Sequence, residues 1–468
     1  MLEELRNNVY TKSMKDSWSA WFRIPPFIGE VNYHTKEYIL LFNTLYNCTV
    51  DIQINPIDSV KNQQEISVEC EEGVMTRVVL AEPGSLKLFI HNHLTSTLVV
   101  DYNKHHNLCF VACDNPNIDI TDTLWDDIDT ETDICIHLGD NIYGDYAFRR
   151  GVKMVRDARK HTTQNKVRRR YSAELPVHEV ANEYRQIYQD TWTRWASKLP
   201  NTSHICIWDD HDVVNNFNDT MIHTVPDAHN NDIVAAIVGT QMYHEYQEAT
   251  RLDEGKNKPI YYKKINHNTG LLLIERITRL SSDTECPFPP ELEKLLSKKL
   301  NKIQGGSVII AFTSAPLPIN EGKRGKLYRR KFGVDSLWSL QRLKALYDIL
   351  FHWMGDHESR SIVLIGGDLH IGVNGYVTRG NRNIPLFVTS PISSHPGVIE
   401  KFYSSGYQNQ YMLNEYTITL NQVKAVRNYL KMSVEDNGRI VGMLVFADQR
   451  HIAPWRRLRE MIRMRYGR

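Results

Sequence analysis

Cysteine is scarce and unpatterned: seven in 468 residues, an odd number with no repeated spacing. That excludes a disulfide-built scaffold and makes a reducing compartment the simpler reading. Long apolar runs are missing too. None approaches the ~18 residues that a membrane-spanning helix needs. The opening Met-Leu-Glu-Glu-Leu-Arg lacks the charged-then-apolar layout of a signal peptide. The expectation is an intracellular, cytoplasmic protein with no transmembrane segment. Charge of one sign is not in excess, because 56 Lys and Arg against 55 Asp and Glu leave a formal +1. No net basic field therefore draws in nucleic acid. Fixed-period repeats and low-complexity stretches are also absent, which excludes solenoids and disordered tracts.

What is present is ordinary globular chain, 41% hydrophobic and 24% charged, long enough for two or three domains. Residues 1–105 carry short β-branched and apolar runs, such as Tyr38–Phe42, Thr76–Leu80 and Leu86–Ile90, separated by Asn, Asp, Pro and Gly. Closely spaced strand signals without helices predict a small all-β sandwich domain there. From 106 to 468 the pattern becomes α/β. Apolar stripes predict helices over 179–198 and over 335–353, the second capped at Asp335. Between the helical stretches lie short continuous apolar runs: Leu108–Ala112, Ile134–Leu138, Ile205–Trp208, Val308–Thr313, Ile362–Ile365 and Leu386–Thr389. Runs of that kind are buried strands of an α/β sheet.

Each run ends in small and polar residues: Cys113-Asp114-Asn115, Gly139-Asp140-Asn141-Ile142-Tyr143, Asp209-Asp210-His211-Asp212, Thr313-Ser314-Ala315-Pro316, Gly367-Asp368-Leu369-His370 and Ser390-Pro391. In open α/β sheets, ligands bind beyond the carboxyl ends of the strands. Taken singly, each cluster has a blander reading as a turn, a solvated loop or core packing. Their conjunction does not, since so many acids in one place repel one another unless cations fill the space between them. The sequence predicts a metal centre.

The blocks Gly139-Asp140-x-x-Tyr143, Trp208-Asp209-Asp210-His211-Asp212 with Asn215-Asn216, and Gly367-Asp368-x-His370 resemble the signatures of the PhoD-like (alkaline phosphatase D) metallophosphatases. These belong to the calcineurin-like metallophosphoesterase superfamily. Ala112-Cys113, Tyr184-Arg185 with Tyr188, Ser314-x-Pro316 and Ser390-Pro391-Ile392-Ser393 add to the resemblance, which spans 105–400. It implies a two-layer metallophosphoesterase α/β sandwich with two or more metal ions. By position, Cys113, Asp140, Tyr143 and His370 would surround one ion. A tyrosinate ending a Gly-Asp-x-x-Tyr block also holds ferric iron in purple acid phosphatases, so Fe(III) is implied at the Tyr143 and Cys113 site. Asp140 would bridge to a second ion, held also by Asp368 and by Asp210 or Asn216. Its oxygen-rich donors favour Ca, Mg or Mn over Zn. Two departures stand out. Cys113-Asp114 replaces the superfamily's usual Asp-x-His, and Thr313-Ser314-Ala315-Pro316 stands where a His is usual.

The implied activity is hydrolysis of phosphate mono- or diesters by attack of a metal-bridging hydroxide. His211 would protonate the leaving oxygen, with Asp212 orienting its ring. The substrate would be a phosphoester small molecule or nucleotide-like anion. Basic residues from Arg149 to Arg170, and a tail from Arg450 to Arg468, leave room for nucleic acid. A nuclease is therefore one alternative function. A catalytically weakened binding or scaffold protein on the same fold is the other.

Overall fold

The computed structural model describes residues 18–56, 63–81, 83–102, 106–115, 124–128, 130–164, 175–217, 231–252, 258–275, 288–303, 305–318, 338–394, 396, 400–401 and 404–447. Strands in the first part are β1 Phe22–Asn32, β2 Glu37–Thr44, β3 Cys48–Pro56, β4 Gln64–Cys70, β5 Met75–Ala81, β6 Gly84–Ile90 and β7 His93–Val100. Next come β8 Asn107–Val111, β9 Ile134–Leu138 and β10 Ser203–Ile207, with helices α1 Asp145–Gln164, α2 Val177–Ala196 and α3 Asn231–Tyr246. The second half begins with strands β11 Ile260–Lys264, β12 Thr269–Ile274, β13 Ser307–Phe312, β14 Ser361–Gly366, β15 Gly372–Arg379 and β16 Arg382–Val388. Helices α4 Pro290–Leu300 and α5 Leu340–Met354 lie among them. Last come β17 Gln410–Leu413, β18 Tyr416–Lys424, β19 Asn428–Val434 and β20 Ile440–Phe446.

Two eight-stranded sheets organise the chain. One runs β20-β19-β8-β9-β10-β1-β2-β5, the other β11-β12-β13-β14-β16-β15-β18-β17. Their centres are parallel, β8 to β9 to β10 in the first and β12 to β13 to β14 to β16 in the second. Alternation along each strand divides its side chains between two faces. Phe110, Ile136 and Ile205 meet Leu271, Ile309 and Ile365 in the core between the sheets. The other face of the first sheet packs under α2 through Tyr184, Tyr188, Trp192 and Trp195. Leu292, Leu296, Leu343 and Leu350 of α4 and α5 cover the outer face of the second. The mixed α/β class expected from the sequence is what the structure has.

The first hundred residues are shared between sheets. Strands β4-β3-β6-β7 form a four-stranded sheet of their own. Strands β1, β2 and β5 instead extend the first large sheet, with β1 joining β10 in parallel at Ile28 and Ser203. Phe22, Tyr38 and Leu40 on one side and Val50, Ile52 and Leu88 on the other pack into one apolar cluster. The stripes that predict helices over 179–198 and 335–353 correspond to α2 and α5. Ser339, not Asp335, caps α5, its hydroxyl accepting from the Arg342 amide at 3.3 Å. Asp335 lies outside the described residues, as do Lys166, Arg168–Arg170 and the 450–468 tail. Among the described residues, no helix is long and apolar enough to cross a membrane.

Candidate metal centre

The carboxyl ends of β8, β9, β10, β14 and β16 open onto one place, and the predicted residues come directly after them. At these ends the backbone leaves extended geometry abruptly. Positive φ occurs at Cys113 (57°), Asp140 (49°), Asn216 (61°), Asp368 (68°) and His370 (53°). Each such residue costs on the order of 1–2 kcal/mol, a strain that persists where surrounding structure enforces it and that clusters at functional sites. Gly139 (φ 93°) makes the β9 exit feasible, since a Cβ there would lie 2.6 Å from the Asp209 Cβ. Hydrogen bonds lock the exits together. The Cys113 and Asp114 amides donate to the carbonyls of Gly139 and Asp140 at 3.2 and 2.8 Å.

Several of these side chains lie close together. Cys113 Sγ lies 3.4 Å from Asp140 Oδ2 and 3.8 Å from the Asp368 carbonyl. Donor atoms of Cys113, Asp140 and His370 fall within 4.8 Å of one another, and so do those of Asp140, Asp210 and His211. Asp140 belongs to both groups. Tyr143 completes the first, its hydroxyl 3.0 Å from His370 Nε2. Asn216 reaches the cluster through its backbone, the amide donating to Asp210 Oδ2, while its side chain is exposed.

Burial and crowded acidic groups set the electrostatics of the cluster. Burial first, then Asp210 and Asp368, pushes the Asp140 carboxyl well above the carboxylate range. Cys113 and Tyr143 are pushed up by burial and, next, by neighbouring negative groups. Burial, with His211 nearby, pulls His370 down to about 4, so its imidazole is neutral. Oδ1 of Asp140 is buried and accepts no hydrogen bond. A buried carboxylate oxygen with no donor, beside a thiol, a phenol and a neutral imidazole, is a donor set for cations. The residues fit a metal centre.

His211 behaves in the opposite sense. Burial lowers its pKa, but the carboxylates of Asp140, Asp210 and Asp145 outweigh this and hold it well above the usual range. Its Nδ1 lies 2.7 Å from Asp145 Oδ2, and the Tyr143 ring packs 4.6 Å from its own. This corrects the expectation that Asp212 orients the imidazole. In the tight turn Asp210–Asp212, the Asp212 carboxylate turns back into the core. It accepts from the Asp209 amide (2.8 Å), the Ile142 amide (3.1 Å) and Gln247 Nε2 (2.8 Å). The orienting acid is Asp145, the first residue of α1, and its other oxygen accepts from the Asn215 amide at 2.9 Å. The only sequence signal for it is an acid two residues after Tyr143 where a helix begins. Ser390 is a further site residue that its sequence block does not single out. Its hydroxyl donates to Cys113 Sγ at 2.9 Å and accepts from the His370 amide at 3.3 Å, tying both halves of the cluster to the end of β16.

Residues 108–272 match the PhoD-like phosphatase family. PhoD-like phosphatases are metal-dependent phosphoester hydrolases, and the matched segment holds Cys113, Asp140, Tyr143, Asp210, His211 and Asn216. Asp368 and His370 lie beyond it, in the loop that follows β14. The solved structure of PhoD resembles this chain with a TM-score of 0.61 at 12% identity, over 92% of this chain and 90% of that one. At that identity the likeness speaks for the fold, and it extends across both large sheets. A Paenibacillus sp. cycloisomaltooligosaccharide glucanotransferase aligns with a TM-score of only 0.17 at 10% identity, over 76% of this chain and 56% of that one, and does not share the fold. No curated protein matches by sequence.

Proposed function

We propose that this chain hydrolyses phosphoesters at the cluster between β8, β9, β10 and β14. The observation that carries the reading is Asp140, a buried carboxylate shared by two donor groups, with one oxygen left without a hydrogen bond. Cys113, Asp140, Tyr143 and His370 would hold one ion, for which phenolate and thiolate favour Fe(III). Asp140, Asp210 and Asp368 would hold the second, whose carboxylate oxygens suit Ca, Mg or Mn better than Zn. Asp210 is the better candidate than Asn216 because its carboxylate, not only its backbone, belongs to the cluster. When bound, the ions supply an activated water and screen the phosphoryl charge.

The protein's own groups supply proton transfer and position. His211 keeps a proton on the nitrogen opposite Asp145, available to a leaving oxygen. With cations bound, the field of Asp140 and Asp210 would be offset, and Asp145 would be the partner that keeps the imidazole charged and oriented. Ser390 steadies the Cys113 sulfur by donating to it. Arg149, exposed on the first turns of α1, sits close enough to act electrostatically on Asp145 and draws an anionic phosphoester toward the site. Farther along α1 the basic residues are partly engaged. Arg150 pairs with Glu183 at 3.0 Å and Arg159 donates to Asn231 at 2.8 Å. That favours a small phosphoester over a nucleic acid.

Initial rates on p-nitrophenyl phosphate and bis(p-nitrophenyl) phosphate test the reading, using native and Asp140→Ala chains reconstituted with Fe and Ca, Mg or Mn. Hydrolysis of at least one ester, abolished in the variant, is the expected result. No hydrolysis of either by metal-loaded native chain would overturn it and leave a binding protein on a hydrolase fold.

A further inference from the structure

Three of the chain's seven cysteines lie with two histidines on one face of three neighbouring parallel strands. Register sets Cys109 of β8 opposite Cys135 of β9, Cys135 opposite His204 of β10, and His137 opposite Cys206. Leu108, Ile134, Ile136 and Ile205 point into the core between the sheets, so these five point the other way, under the helices. All five are buried. Donor atoms of Cys135, His137 and His204 lie within 4.8 Å of one another, and His137 Nε2 is 3.0 Å from His204 Nδ1.

We propose that Cys135, His137 and His204 form a separate buried site for one soft monovalent ion, Cu(I). Two imidazole nitrogens sharing one ion at ~2 Å, at angles near 100–120°, stand roughly 3.1–3.5 Å apart. The observed 3.0 Å needs only a few tenths of an ångström of opening. Thiolate selects Cu(I) and Zn(II), and imidazole suits copper and zinc alike. Charge chooses among them. Trp195 stacks on His204 at 4.2 Å and lies 4.9 Å from His137, with Trp125 at 5.8 Å from His137. Under that aromatic cover an uncompensated charge is costly. One thiolate and two neutral imidazoles neutralise Cu(I), whereas Zn(II) would leave a buried positive charge.

The protons balance. His204 Nε2 lies 3.0 Å from the Leu199 carbonyl, which can only accept, so Nε2 carries the proton and Nδ1 offers its lone pair. In the metal-free chain His137 Nε2–H donates to that lone pair. Binding moves the His137 proton to Nδ1 and releases the Cys135 thiol proton, which burial and neighbouring Cys109 otherwise hold firmly. The site lies beneath the sheet surface, whereas the phosphatase cluster lies beyond the strand ends. Nothing in the hydrolytic reading requires it.

The test is refolding of the full chain with Cu(I) under anaerobic conditions, then competition with a Cu(I) chelator and counting of copper per chain. Native chain is expected to retain about one copper more than Cys135→Ala or His204→Gln. X-ray absorption of a Cys113→Ser chain, in which the phosphatase cluster offers no sulfur, is expected to show one sulfur and two imidazole nitrogens. Equal copper in native chain and folded variants, or a sulfur-free shell in Cys113→Ser, would overturn the proposal. Preferential retention of Zn(II) when both ions are offered would overturn the ion assignment. The absorption measurement decides the matter even where Cys135→Ala or His204→Gln does not fold.

Discussion

Asp145 Oδ2 lies 2.7 Å from His211 Nδ1, and its other oxygen is held by the Asn215 amide. This pair makes Asp145 a positioning residue whose effect passes through His211. Asp145→Asn keeps the shape but removes the charge that favours imidazolium. Turnover should fall roughly 10–100-fold, most for esters with poor leaving groups, with KM and metal content little changed. His211→Ala should fall further, about 10²–10³-fold, and the double variant should be no worse than His211→Ala. The limb of the kcat–pH profile assigned to the acid should move down in Asp145→Asn. A purely structural role would leave that limb in place.

Tyr143 stands between two candidate roles, its hydroxyl against His370 and its ring against His211. If iron occupies the Cys113 and Tyr143 side, phenolate binding gives the loaded chain a visible charge-transfer band. Tyr143→Phe should lose that band while Asp145→Asn keeps it. An iron-loaded native chain without visible absorption would remove Tyr143 from the ligand set.

Much of this site is legible in the sequence because parallel strands buried on both faces read as short apolar runs, and the residues just past such a run sit at the sheet's carboxyl edge. Cys113, Asp140, Asp210, Asp368 and His370 are found that way. Side-chain direction within the loops is not legible. Asp212 is adjacent to His211 in sequence, yet in a turn whose Asp209 side chain accepts from the Asp210 amide it folds back to the Asp209 amide. Asp145 comes from a different strand exit altogether. The joining of β1 to β10 is equally hidden, because nothing local in either strand names its partner.

Gly139 carries the β9 exit. Gly139→Ala would force an L side chain to φ 93° and press its Cβ to 2.6 Å from Asp209. A loss of roughly 2–4 kcal/mol is expected, read as a lower urea midpoint, with metal retention impaired in parallel. Native-like stability would mean that the exit loop adapts more readily than its packing suggests.

The buried His204 makes stability depend on pH in a defined direction. Burial lowers its pKa from 6.5 to about 4, and His137 is lowered by burial and by His204. Between those values the two imidazoles bind more protons in the unfolded chain than in the folded one, so their contribution to stability rises with pH through this window. It is fully present above pH ~6.5 and lost as pH falls toward 4, by about 1.4 kcal/mol per unit for each such histidine. Urea midpoints of chelator-treated native chain should fall from pH 7 to pH 4.5 more steeply than those of His204→Asn. Parallel slopes would contradict the assignment.

Asp140 is the residue on which the proposed metal centre depends. Elemental analysis of Fe, Zn, Mn, Mg and Ca per molecule, in native chain and Asp140→Ala, tests that dependence most directly. Stoichiometric metal in the native chain, lost in the variant, is the predicted result, with iron among the metals supporting Cys113 and Tyr143 as its holders. A native chain that stays metal-free after reconstitution would contradict the account.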